Sequence, residues 1–201
     1  MCLFDTRYGF NGGSALSTVV QTEYLGSVAA LACVNTTLAA GMAGLTALFG
    51  NLWILERYTG EPFFDLRMAM NGTLSGLVAI TAGCGVFEPW AAIVTGFVSG
   101  FLYIGGSKLL LVLRLDDAVD AIPCHMVSGA WGLISVGLMA SPTRLLAAYG
   151  RDKHVGWFYS FTHGGSDATL LGIQLIEILF IIGWTLAIMM PFFIWLDFMG
   201  W

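Results

Sequence analysis

Charge is scarce in this 201-residue chain: Lys and Arg number eight, Asp and Glu thirteen, together 10% of the residues. A soluble domain carries roughly 25%, so a soluble enzyme and a solvated, disordered tail are excluded. Positive charge is scarcer than negative, with a net charge of −5 and a pI of about 4.9. A nucleic-acid binder is excluded on that balance. Histidine occurs three times and cysteine four times. Cys2, Cys33, Cys84 and Cys124 have no motif spacing and read as small apolar residues rather than as a disulfide framework or metal site. A phosphate-cradling loop, a metal-ligand cluster and a nucleophile–base pair are also missing from the sequence. The chain is therefore not read as an enzyme, and no cofactor or metal is expected.

Apolar residues make up 57% of the chain, and the mean hydropathy is +0.80. A membrane-crossing helix needs about 20 apolar residues. Runs at 24–55, 68–87, 89–107, 121–143 and 176–196 reach that length, while 8–22 is shorter and more polar. They are apolar on all faces rather than alternating, so they read as helices and not barrel strands. The reading is an all-α, polytopic transmembrane bundle of five full spans plus the end of a sixth. Between the spans, 56–67, Glu88, 108–120 and 144–167 read as connections, and His154 and His163 in the last of these read as solvated. Arg57, Arg67, Lys108 and Arg114 fall on one side, Arg7, Arg144, Arg151 and Lys153 on the other. This even split leaves orientation open under the positive-inside rule. Gly72/Gly76, Gly96/Gly100 and Gly9/Gly13 are small-xxx-small pairs that let helices approach closely in lipid.

His125 is the one histidine inside a span. An ionisable side chain there is expensive and marks a functional site by default. In α-helical register Ala121, Ser128, Gly129 and Gly132 share its face, leaving room for a neighbouring helix or a narrow passage. Pro123 frees backbone amides near the ring, and Asp116 or Asp117 is placed to cap them. A positive helix end and an apolar site both favour an uncharged ring. Such a ring accepts one hydrogen bond and donates another. Thr81, mid-run in 68–87, either faces a passage or bonds back to its own helix, the commoner arrangement.

Four segments, Phe10-Asn11-Gly12-Gly13-Ser14-Ala15, Val34-Asn35-Thr36, residues 75–85 and residues 116–132, resemble the ammonium transporter (Amt/Rh/MEP) family in order and spacing. The pattern Asp116-Asp117, Asp120, His125 is the most specific part. Met126 departs from it, since the family usually has glycine directly after this histidine.

The resemblance implies the second half of an eleven-helix fold, with residues 1–201 forming the C-terminal portion of a chain about twice as long. It implies transmembrane transport of ammonium or ammonia through an apolar pore with a histidine relay. Phe10 would be one ring of a gate, Ser14 the hydroxyl of an outer recruitment site, His125 one of two pore histidines, and Asp120 a supporting carboxylate. The expected partners are ammonium or ammonia, the bilayer and, in the complete protein, two further copies in a homotrimer; the expected location is the plasma membrane, with the 108–120 linker cytoplasmic. Two other readings compete. One is an ammonium sensor or scaffold of the same fold. The other is a haem-binding redox subunit, which needs a second intramembrane histidine.

Overall fold

The apolar runs fold as helices because a backbone in lipid must satisfy its amides within its own segment. The computed structural model describes residues 2–18, 24–59, 63–162 and 165–200; residues 19–22 of the first run and His163 lie outside these. The helices are α1 (Cys2–Thr18), α2 (Leu25–Thr59), α3 (Leu66–Ile80), α4 (Pro89–Leu113), α5 (Ser128–Met139), α6 (Pro142–Tyr149), α7 (Trp157–Ser160) and α8 (Thr169–Phe198). A π-helical turn, Ile122–Val127, leads directly into α5. No strand occurs among the described residues. Leu25–Ile54, Pro89–Leu113, Ile122–Met139 and Thr169–Phe198 are long and apolar enough to cross a membrane.

Several boundaries differ from the hydropathy reading. The 68–87 run is helical only to Ile80, and residues 81–87 form an irregular turn. That turn is tolerated because neighbours take up its freed carbonyls: Asn35 Nδ2 donates to Cys84 O and Phe87 O, and the Ser141 amide to Val86 O. Helix α4 continues through Lys108 to Leu113, so the linker shrinks to a few residues between Arg114 and Asp120, both at positive φ. The 144–167 connection contains most of α6 and all of α7.

Helix α2 is the hub, and small residues allow it. A Cβ at Gly76 or Gly96 would strike the backbone of Ala39; at Gly72, the side chain of Ala47; at Gly100, Thr46 and the Ala43 carbonyl. Gly132 likewise lies on the Ala79 carbonyl and brings α5 onto α3. The predicted pair Gly9/Gly13 behaves differently: a Cβ at either meets nothing within 4 Å. Helix α8 carries the most apolar sequence of the four candidate spans and buries none of its residues. It meets α5 where Gly137 faces Leu171.

Candidate functional site

Helix α1 runs antiparallel to α2, since Tyr8 pairs with Thr37, Asn11 with Thr36, and Gly12 lies against Cys33 and Ala29. Arg7, Phe10 and Ser14 recur at i, i+3 and i+7 and form one stripe on α1. The Ser14 hydroxyl donates to Phe10 O at 2.6 Å, and the Phe10 ring is 55% exposed. Arg7, counted among the loop charges in the sequence, is instead inside α1. Its guanidinium carbon sits 5.8 Å from the Phe10 ring centroid, and Nη1 lies 3.5 Å from Thr81 Oγ1. Thr81 donates back to Leu77 O at 2.8 Å, the local bonding its position favours.

Behind this stripe lies a cavity of ≈ 170 Å³ between α1, α2, the 81–87 turn and α6, lined by Asn11, Ser14, Thr81, Cys84 and Tyr149 among others. Asn11 is 2% exposed. Its Nδ2 donates to Thr36 Oγ1 at 2.8 Å, while Thr36 donates to Ala32 O. That chain fixes the amide orientation and leaves Asn11 Oδ1 buried without a protein donor.

His125 stands on the π-helical turn. Asp117, rather than Asp116, caps it, accepting from the Ala121 and Ile122 amides at 2.8 Å each. Those amides, Ile122 first, hold the Asp117 carboxyl below its usual range. The wide turn also changes the register. Ser128 and Gly132 are buried, whereas the His125 side chain is exposed, so they do not share the face that α-helical spacing predicts. Ser128 Oγ lies 3.0 Å from Pro123 O and 2.8 Å from Ser75 Oγ, and Ser75 Oγ lies 2.6 Å from Ser99 Oγ. These buried hydroxyls tie α3, α4 and α5 together under the histidine. Cys124 and Ser128 meet α3 at Asn71 and Ser75, whereas Thr81 lies further along. At 1.5 Å per residue, Thr81 is about 15 Å beyond Asn71. The structure thus gathers Phe10, Ser14 and Thr81 into one group and sets His125 in another, deeper along α3.

Asp120 is 7% exposed and accepts from Tyr103 O–H at 2.9 Å, Ser107 O–H at 3.1 Å and Asn71 Nδ2 at 3.4 Å. It fastens the linker before His125 to α3 and α4. Tyr103, Ser107 and Asn71 carry no sequence signal for this role, since each reads as an ordinary span residue.

At the opposite end, Arg144 grips Glu88 with two bonds, 2.8 and 3.0 Å, and Ser141 and Thr143 add hydroxyls. The guanidinium lowers the Glu88 carboxyl, and Glu88 raises the guanidinium in turn. His154 is paired rather than simply solvated: Nδ1 lies 3.0 Å from Asp167 Oδ2. Bonds from Thr169 and then His154 bring the Asp167 carboxyl to about 2.

Comparison with known proteins adds kinship to this geometry. The model of the Ammonium Transporter Family matches residues 6–201. "Putative ammonium transporter 1 member 5" of Arabidopsis thaliana is 39% identical over 193 residues, covering 90% of this chain and 36% of that protein. "Ammonium transporter 1 member 1" of Solanum lycopersicum is 40% identical over 196 residues, covering 92% and 38%. Among solved structures, Candida albicans Mep2 superposes with a TM-score of 0.75 at 27% identity, over 92% of this chain and 36% of that one. A structure described as a sensor Amt protein gives 0.71 at 29% identity, over 96% and 41%. The chain spans well under half the length of each of these four proteins.

Proposed function

The chain belongs to the ammonium transporter family, and from that premise we propose that this integral membrane protein forms one wall of a passage carrying ammonium, as ammonia, across the bilayer. The observation that carries the reading is His125 presented on an open face of the bundle, on a turn held by Asp117, by Ser128 and by the three donors to Asp120. An imidazole so held offers a hydrogen-bond partner in an apolar wall, and in its uncharged form it both donates and accepts. Ammonium entering an apolar passage loses its water shell, at a cost of many kcal/mol. Leaving its proton behind lets the neutral molecule pass, whereas potassium has no proton to leave. Phe10 and Ser14 stand at the outer approach, where the Ser14 hydroxyl oxygen can accept a hydrogen bond from a small cation.

A facing wall is supplied by further helices, of the same chain or of a neighbouring copy. Kinship supports a homotrimer in the plasma membrane as the working assembly. The family also contains a protein described as a sensor, so flux is the deciding quantity. Expression in cells lacking their own ammonium uptake should restore growth on low ammonium. Absence of rescue with the protein present at the cell surface would overturn the transport reading.

A further inference from the structure

We propose that Arg7 is a fixed cation in the wall of this passage, one turn inside Phe10, and that it restricts conduction to neutral ammonia. The inference rests on the transport reading above and names the residue that excludes the ion.

Depth comes first. Arg7 adjoins Tyr8, which pairs with Thr37 on α2. Thr37 is twelve positions from the start of α2 at Leu25, or about 18 Å of helix, against a hydrocarbon core of about 30 Å. Arg7 therefore lies near mid-depth, where an ionisable side chain points to function. Order along the path comes next. Because α1 is antiparallel to α2, a solute moving inward along the stripe meets Ser14, then Phe10, then Arg7. His125 lies beyond, since Cys124 and Ser128 on either side of it meet α3 at Asn71 and Ser75 while Arg7 reaches Thr81.

The charge is permanent, because a guanidinium does not lose its proton in proteins. It is also held in place, by Thr81 at 3.5 Å and by the Phe10 ring at 5.8 Å. The ion pairs among the described residues are Glu88 with Arg144 and His154 with Asp167, neither at this depth. A like charge some 6–8 Å away in a partly solvated cleft lowers the occupancy of ammonium on the order of ten- to a hundredfold. Ammonia, having no net charge, escapes this penalty. Arg7 also places its own cation against the ring that would otherwise attract ammonium. The ion consequently gives its proton to water on the outer side of Phe10, and NH₃ alone continues past Arg7.

Voltage clamp combined with intracellular pH recording tests this on the whole protein in oocytes. Wild type should alkalinise the cell in ammonium with no saturable inward current. Arg7→Gln should add an ammonium or methylammonium current at least tenfold above that background, and Arg7→Lys should not. Arg7→Met, which keeps the apolar stem over Phe10, repeats the comparison if the glutamine variant does not reach the surface. A wild-type current matching its ammonia flux overturns the proposal, as do Gln and Met variants at the surface that show flux but no added current. Loss of both signals in surface-expressed wild type is a separate outcome, and it removes the transport reading together with the proposal.

Discussion

Asn35, in the middle of α2, donates its side-chain amide to two carbonyls of a different segment, Cys84 O at 2.8 Å and Phe87 O at 2.9 Å. It is fully buried. One side chain thus meets two of the carbonyls that the 81–87 turn frees. Asn35→Leu should strand both carbonyls, each worth about 1–3 kcal/mol when buried and unmet. Thermal unfolding in detergent should show a loss of several degrees. An unchanged midpoint would mean that water satisfies the turn.

Asp120 gathers three donors and has a positive φ of 56°. Asn and Asp tolerate that backbone better than other residues with a Cβ. Asp120→Asn should therefore retain the fold with a modest loss, whereas Asp120→Ala should lose about 2–4 kcal/mol through the stranded Tyr103 and Ser107 hydroxyls. Equal midpoints for the two variants would show that the carboxylate web does not hold the linker.

His125 offers the opposite case. Its ring is exposed, so His125→Ala should leave stability within about 0.5 kcal/mol, as surface changes usually do. Ammonia flux or its selectivity should change nonetheless. Unfolding of the alanine variant, reversed by a polar isostere, would make the histidine a packing residue.

The Glu88–Arg144 pair predicts a direction with pH. The Glu88 carboxyl is lowered below its ordinary value of 4.5, so its contribution is complete above that value and fades as pH falls through the lowered one. Between pH 6 and 3 the wild-type midpoint should drop more steeply than that of Glu88→Gln. Parallel slopes would assign the acid sensitivity to other carboxylates.

Membrane residence, the helical class and the close approaches at Gly72, Gly76, Gly96 and Gly100 were legible in the sequence. So were an aspartate cap ahead of His125 and the local bond of Thr81. Each depends on properties carried along a single segment: charge density, hydropathy over a bilayer's length, or small residues at a fixed spacing. The early end of α3, the turned register of His125, the carboxylate web of Asp120 and the place of Arg7 depend on neighbours instead. Residues 68–87 read as one apolar run because hydropathy does not register that Asn35 and Ser141 meet the freed carbonyls from other elements. Spacing puts His125 above Ser128, yet a single wide turn rotates them apart, with Ser128 Oγ against Pro123 O and Ser75. Arg7 looks like a loop charge until α1 is laid against Thr37 and Thr81. Composition and period thus determined what the segments are and which medium they occupy. Cross-helix satisfaction of buried polar groups decided where the segments break and which side chains the bundle leaves exposed, because in lipid an unmet carbonyl or charge has no water to turn to.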